Sequence, residues 1–147
     1  MVELAEHIAA IRGIPVGVVS SPKRAELLRE MGCEHVIDRR EAGYQFWSDE
    51  HTQDEAEWRR LGKKVRGLIG VNPDIVFEHP GESTFPVSVQ VVKRGGMVVI
   101  CAGTTGYNLT MDARYLWMHQ KRIQGSHFAN LLQASQANTL VVERRID

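Results

Sequence analysis

Short apolar runs recur along the chain, and small or polar residues follow each of them. Val16–Val19, His35–Asp38 and residues 74–77, 97–101 and 122–128 have the length and composition of buried strands. Segments with apolar residues at helical spacing separate these runs. Strands that alternate with helices predict a parallel sheet with crossover helices, not an antiparallel sandwich. The predicted fold class is therefore α/β: a Rossmann-like, doubly wound, mostly parallel sheet with helices on both faces.

Apolar residues three and four positions apart predict the helices between and beside these strands. Ser21 is suited to cap the helix over residues 22–31, and Ser83 or Thr84 is suited to start the one that follows residues 74–77. A short helix is also expected around residues 115–119. The apolar stripes are Leu4, Ile8 and Ile11 in residues 1–13; Leu27, Leu28 and Met31 in 22–31; Phe85, Val89 and Val92; and Leu131, Leu132, Ala134 and Leu140 in 129–144.

Residues 40–70 depart from this rhythm because they are rich in aromatic and charged side chains. Trp58, Leu61 and Val65 predict a helix over residues 55–69 within this segment. The simplest interpretation is an insertion whose helix is solvated or faces another subunit, with its tryptophans covering the flank of the domain. Residues 1–147 are thus predicted to form a single domain with a helical, charged insertion at about 40–70.

Composition narrows the classes of function that remain. Hydrophobic residues make up 43% and charged residues 24% of the 147 residues, as in folded globular proteins. Eighteen basic residues balance 18 acidic ones, so no overall charge favours nucleic acid. No stretch approaches the roughly 20 apolar residues of a membrane span. Two distant cysteines indicate a reducing compartment, so a cytoplasmic protein is expected, and no histidine or cysteine spacing predicts a metal site.

Hydroxyl and guanidinium groups cluster after the first predicted strand. Ser20 and Ser21 follow it directly, Arg24 comes one helical turn later, and Arg39 follows the next strand. In dinucleotide-binding folds a carboxylate at this position selects NAD by accepting from the ribose 2′-hydroxyl. Hydroxyls and guanidinium groups instead suit a 2′-phosphate, which favours NADPH. The alternative that the sequence leaves open is a helix cap with two solvated arginines.

The loops after the later strands outline a second candidate, the edge of a pocket. Their small side chains and backbone amides would let a flat ring approach the chain closely. A histidine at a strand end is more often a hydrogen-bonded structural residue than a catalyst, so both roles stay open for the two histidines here. The candidate residues are His79, Pro80, Cys101, Ala102, His127 and Phe128.

A glycine-rich phosphate-binding turn, with its strand, should come before the first helix of a dinucleotide-binding fold. Gly13 and Gly17 do not substitute for it, because neither lies in a glycine-rich turn that opens a helix. The chain begins just after the expected place. We therefore expect the chain by itself to bind NADPH poorly and to be inactive.

Six stretches of the sequence carry a resemblance to a known enzyme family. They are Val18-Val-Ser-Ser-Pro22, Gly43-Tyr-Gln-Phe-Trp47, Thr52-Gln-Asp54, Asp74-Ile-Val-Phe-Glu-His-Pro-Gly81, Arg114-Tyr-Leu-Trp-Met118 and the segment from Lys121-Arg-Ile to Gly125-Ser-His-Phe-Ala-Asn130. They resemble the nucleotide-binding domain of the crotonyl-CoA carboxylase/reductases, which belong to the medium-chain dehydrogenase superfamily. The resemblance covers nearly the whole chain and includes the insertion.

The resemblance implies an enzyme that uses NADPH to deliver hydride to the β-carbon of crotonyl-CoA. The enolate then attacks carbon dioxide and gives ethylmalonyl-CoA, without biotin or metal. By the same resemblance, His127 helps to hold carbon dioxide through a water or a hydrogen bond. The residues implied to surround the 2′-phosphate are Ser20, Ser21, Arg24 and Arg39, and those implied to flank the ribose and nicotinamide are His79, Pro80, Cys101, Ala102 and Phe128.

Partners follow from the same resemblance. Acyl-CoA and carbon dioxide would be bound with a substrate-binding lobe that this chain lacks, and a homo-oligomer is expected, with neither nucleic acid nor membrane as a partner. Two alternatives stay open. One is an NADPH-dependent enoyl or quinone reductase without carboxylation. The other is a non-catalytic module that pairs an exposed sheet edge with another chain.

Overall fold

The computed structural model describes residues 13–143, which fall into two units. Unit 1 comprises the described residues up to Tyr44 and from Phe128 onward, and unit 2 is Gln45–His127. The predicted helix stripe of Leu4, Ile8 and Ile11 lies outside the described residues. In chain order the elements are β1 (Val16–Val19), α1 (Pro22–Glu30), β2 (His35–Asp38), α2 (Glu55–Ile69), β3 (Ile75–Glu78), α3 (Phe85–Val91), β4 (Met97–Ile100), α4 (Ala113–Trp117), β5 (Arg122–Gly125) and α5 (Leu131–Val142).

Each unit contains a parallel sheet. In unit 1, β1 pairs with β2, and in unit 2 the order is β3-β4-β5, with every pairing parallel. The prediction of parallel strands with crossover helices is therefore confirmed.

Helix α1 packs on β1 and β2 through small and branched side chains. Ala25 and Leu28 are buried, whereas Leu27 is 47% exposed, so the prediction that Leu27 faces inward was wrong. Leu28 packs closely over Gly17, where an added Cβ would lie 2.6 Å from Leu28 Cδ1. The Ser21 hydroxyl caps the helix by accepting from the Arg24 backbone N–H at 3.4 Å, as predicted.

The core of unit 2 lies between α3 and the sheet. Its buried cluster is Phe85, Val89, Val92 and Val98, which includes the predicted stripe of α3. At the start of β5, Lys121 Nζ donates to the backbone oxygens of Val89 and Gln90, at 2.7 and 3.0 Å, near the carboxyl end of α3. Partial burial lowers the pKa of Lys121 to about 8.

The insertion belongs to the interior of unit 2. Helix α2 has the bounds that the sequence predicts, and it packs against α3. Trp58 is 1% exposed, and its Nε1–H donates to the Phe46 carbonyl at 3.0 Å. Leu61 and Val65 are buried on the same face. Only the charged face of the helix is solvated, so the tryptophan at position 58 is a core residue and not a cover for the flank.

The carboxyl-terminal part of the described chain departs from the prediction. Strand β5 ends at Gly125 and not at Phe128, because its partner β4 ends at Ile100 and the last contact is Ser126 N–H to Ile100 O at 2.8 Å. Asn130 caps α5, yet Leu131 is 92% and Leu132 67% exposed. Within residues 13–143 no helix is long and apolar enough to cross a membrane.

Candidate functional site

Three loops of unit 2 begin at the carboxyl ends of adjacent strands. Glu78 is in register with Ile100, and Ile100 is in register with Gly125, so β3, β4 and β5 end side by side. In open parallel sheets ligands bind outside the carboxyl ends of the strands. His79, Cys101 and His127 therefore lie on loops that begin at the same end of the sheet, as the sequence predicts.

Two of these loops form one hydrogen-bonded structure, which we call the strand-end platform (residues 79–84 and 101–107). Thr105 joins them: its N–H and its hydroxyl both donate to the Pro80 carbonyl at 2.8 Å, its Oγ1 accepts from the Ser83 N–H at 3.0 Å, and its Oγ1 lies 3.1 Å from the Ser83 hydroxyl oxygen. Glu82 N–H also donates to Gly106 O at 3.3 Å. The surface that carries His79, Pro80 and Ala102 is thus fixed from both sides.

Glycine is required where the two loops touch. Gly81 has φ +86°, and an added Cβ would lie 2.6 Å from Gly106 O and 2.8 Å from Gly103 Cα. Both contacts are with backbone atoms, which cannot rotate away. A side chain at position 81 would therefore push the loops apart.

A buried acid lies beneath the platform. Glu78, the last residue of β3, is 2% exposed, and its Oε1 accepts from the Gly81 N–H at 3.0 Å and the Thr84 hydroxyl at 2.6 Å. The Ser88 hydroxyl donates to Oε2. Thr84 is the N-cap of α3, as expected, but its hydroxyl bonds Glu78 and does not cap the helix.

The insertion supports the platform from the side. Trp47 Nε1–H donates to the Ser83 carbonyl at 3.0 Å. Farther along, the Gln53 side chain donates to Thr110 O at 3.3 Å and the Tyr115 hydroxyl donates to Glu55 at 2.9 Å. The segment that departs from the sheet pattern therefore contacts the loops around the candidate site.

The predicted residues of unit 2 differ in exposure. His79, Pro80, Cys101 and Ala102 are partly buried, while His127 is exposed beyond the end of β5. Cys101 is anchored to β3, since its backbone N–H donates to Glu78 O at 3.3 Å. These positions suit groups that present backbone and short side chains to a ligand.

Two of the predicted phosphate-binding residues of unit 1, Ser20 and Arg39, also follow the carboxyl ends of paired strands. Val19 is in register with Asp38, and Arg39 N–H donates to Val19 O at 2.9 Å, so Ser20 and Arg39 leave adjacent strand ends. Arg39 is partly buried, whereas Arg24 is exposed. Phe128, which also belongs to unit 1, is 90% exposed.

Two acids that close strands, Asp38 and Glu78, were not predicted as site residues, although Glu78 begins one of the candidate loops. Asp38 is 5% exposed, and its Oδ1 accepts from the N–H groups of Arg40 and Glu41 at 3.0 and 3.3 Å. Like Glu78, it ends a strand and bonds the backbone of the turn that follows. An acidic residue at the last position of an apolar run is the signal that could have found both.

The sequence matches a known protein-family model. The model described as zinc-binding dehydrogenase matches residues 1–143. The chain belongs to the zinc-binding dehydrogenase family. Solved dehydrogenases of low identity share the fold, among them an alcohol dehydrogenase from Aeropyrum pernix with a TM-score of 0.73 over 97% of this chain at 16% identity. The Rossmann-like fold class is thereby confirmed.

Closer relatives within this dehydrogenase family bear out the resemblance to crotonyl-CoA carboxylase/reductases. The crotonyl-CoA reductase of Streptomyces collinus is 55% identical over 133 residues, which are 90% of this chain and 30% of that protein. The crotonyl-CoA carboxylase/reductase of Cereibacter sphaeroides is 52% identical over 141 residues, with coverages of 90% and 32%. The chain therefore spans about a third of the length of these relatives.

Solved structures of crotonyl-CoA and 2-octenoyl-CoA carboxylase/reductases are also similar to this chain. A crotonyl-CoA carboxylase/reductase has a TM-score of 0.86 at 46% identity, covering 99% of this chain and 35% of that one. A 2-octenoyl-CoA carboxylase reductase in complex with NADP and 2-octenoyl-CoA has a TM-score of 0.91 at 41% identity, covering 98% of this chain and 33% of that one.

The family description raises the question of zinc. Zinc sites in proteins need three or four Cys, His, Asp or Glu ligands held together. Among residues 13–143, no three such side chains come close enough to hold a metal ion. The described residues therefore do not fit a zinc site.

Proposed function

We propose that this chain is the NADPH-binding portion of an enoyl-CoA reductase that reductively carboxylates crotonyl-CoA to ethylmalonyl-CoA. The observation that carries the proposal is the arrangement at the carboxyl end of the sheet of unit 2, where the strand-end platform and His127 follow three adjacent strands. The identity of 52% with a crotonyl-CoA carboxylase/reductase over 141 residues supports it. When bound, NADPH supplies the hydride for the enoyl-CoA.

In this proposal the residues of unit 1 hold the 2′-phosphate. Arg39 and Arg24 supply positive charge, and Ser20 supplies a hydroxyl donor. Ser21 already accepts the capping bond from Arg24 N–H, but its O–H is still able to donate. The chemistry of this donor set fits a phosphate better than a ribose hydroxyl.

In unit 2 the proposed roles differ by loop. His79, Pro80, Cys101 and Ala102 flank the ribose and nicotinamide. His127 holds carbon dioxide through a hydrogen bond or a bound water, and it donates no hydride. The acyl-CoA would be bound largely by parts of the enzyme that correspond to the remaining two thirds of the relatives.

Cofactor selection provides the first test. We expect Arg39→Ala to weaken NADPH binding about tenfold, since a lost charge-assisted hydrogen bond is worth about 1.4 kcal/mol. NADH has no 2′-phosphate, so its affinity should stay the same. Fluorescence titration would measure both, with residues 1–143 grafted in place of the matching segment of the Cereibacter sphaeroides enzyme.

The matched control is Arg40→Ala, because Arg40 is the adjacent arginine and is exposed. It should leave NADPH affinity within about twofold, and Arg24→Ala should resemble Arg39→Ala. Equal losses for NADH and NADPH in Arg39→Ala would contradict the phosphate role.

Product composition tests His127. In the same grafted enzyme, supplied with NADPH, crotonyl-CoA and bicarbonate, we expect His127→Ala to shift the product from carboxylated to simply reduced acyl-CoA. The physical reason is that the enolate takes a proton when carbon dioxide is not held beside it. Chromatography of the acyl-CoA products gives the ratio, and His51→Ala, at an exposed position of the insertion, is the control.

An unchanged product ratio in His127→Ala would favour the second candidate, an NADPH-dependent enoyl reductase without carboxylation. One comparison points to it: the 2-haloacrylate reductase of a Burkholderia species is 29% identical over 106 residues.

We further propose a cytoplasmic homo-oligomer; Cys33 and Cys101, which are both free, support a reducing compartment.

A further inference from the structure

Glu78 is a buried acid in an apolar setting. It shares a face of β3 with Val76, which packs on the core cluster of Phe85, Val89, Val92 and Val98. Its three hydrogen-bond donors, the Gly81 N–H and the hydroxyls of Thr84 and Ser88, are all neutral. Burial of a carboxylate is costly even when it is hydrogen-bonded, so an apolar side chain would serve packing better.

We propose that Glu78 is a positioning residue that fixes the conformation of the strand-end platform. An apolar side chain cannot accept a hydrogen bond from the Gly81 N–H. The Glu78 carboxylate accepts this bond and so holds the turn of residues 79–81 closed. His79 and Pro80 lie inside that closed turn. The inference rests on the proposed function for the ligand that the platform faces, the nicotinamide half of NADPH.

The effect of Glu78 extends to the second loop. Gly81 contacts the backbone of Gly103 and Gly106, and the Pro80 carbonyl accepts two hydrogen bonds from Thr105. Holding Gly81 therefore holds both halves of the platform. The diversion of the Thr84 hydroxyl from helix capping to Glu78 fits the same role, because the helix start is tied to the carboxylate as well.

Amide hydrogen exchange of the full chain, measured by NMR, tests the proposal. In Glu78→Gln the amide keeps the shape of the side chain but loses the charge. We expect the Gly81 and Thr105 amides to exchange at least tenfold faster, because bonds to a charged acceptor are the stronger ones. The Gly81 amide proton should also move upfield, while the amides of β4 keep their wild-type exchange rates.

Two controls separate positioning from general stability. Glu50→Gln makes the same chemical change at an exposed site and should change no exchange rate in the platform. Val98→Ala removes part of the core without touching the carboxylate, and it should accelerate exchange throughout unit 2. If Glu78→Gln behaves like either control, the positioning role is refuted.

Thr84→Val guards against a Glu78 variant that does not fold. Valine keeps the shape of threonine and removes one donor to the oxygen that also accepts from Gly81. We expect a smaller acceleration at Gly81 and Thr105, again without change in β4; the absence of that selective effect would overturn the proposal. These measurements need no cofactor, so their failure is distinguishable from failure of the NADPH titrations in the grafted enzyme.

Discussion

Gly81→Ala should destabilise unit 2 by about 3 kcal/mol, which combines the cost of a left-handed conformation with that of a forced contact. The backbone at position 81 has φ +86°, and the new Cβ would lie 2.6 Å from Gly106 O. Because the contact is with backbone, the two loops of the platform must separate. Urea unfolding followed by tryptophan fluorescence measures the change, since Trp47, Trp58 and Trp117 all lie in unit 2.

Gly95→Ala is the matched control for this prediction. Gly95 has φ +71°, but nothing lies within 4 Å of the added Cβ. We expect it to cost about 1 kcal/mol, which is the conformational part alone. If the two variants lose equal stability, the close packing of the loops does not contribute to the fold.

Trp58→Ala should lower the free energy of unfolding by about 4 kcal/mol, the usual cost of deleting a large buried aromatic side chain. Trp58 lies on α2 and is 1% exposed, and it also donates to the Phe46 carbonyl. Its loss leaves a cavity and removes one of the two hydrogen bonds that the Phe46 carbonyl accepts, since the Asp54 N–H still donates to that oxygen at 3.0 Å. Urea unfolding followed by circular dichroism avoids any dependence on the tryptophan signal.

Two further variants divide this effect. Trp58→Phe retains most of the ring and loses the Nε1–H, so we expect a cost of about 1 to 2 kcal/mol. Trp117→Ala removes a side chain that is 68% exposed and should cost less than about 0.5 kcal/mol. A small effect of Trp58→Ala would mean that the insertion is not part of the core of unit 2.

Strand and helix positions were predictable where the pattern is local. The bounds of β1, β2 and α2 match the sequence prediction because apolar runs and helical spacing depend on neighbouring residues. The end of β5 was not predictable from its own composition. A strand continues only while its partner does, and β4 ends at Ile100. His127 therefore lies beyond the strand.

The candidate site was predictable in outline. Ser20, Arg39, His79 and Cys101 were predicted as candidates because they follow apolar strands, and the structure has them at strand ends, while their roles stay predictions. Glu78 was missed as a site residue because its donors lie at positions 81, 84 and 88, and only the turn into α3 brings them to one carboxylate. Leu27 was misassigned because the face of α1 that packs on the sheet is the one with Ala25 and Leu28, and helical spacing alone does not tell which apolar residues face the sheet.

The sequence by itself determined the α/β class, the parallel strands and the strand ends at which chemistry is expected, because hydrophobic periodicity and turn residues act over a few positions. The tertiary structure decided how the loops are held. Trp47 reaches the Ser83 carbonyl 36 positions away, and Thr105 reaches Pro80 across 25 positions. Such contacts depend on which elements pack together, and that information is spread over the whole chain.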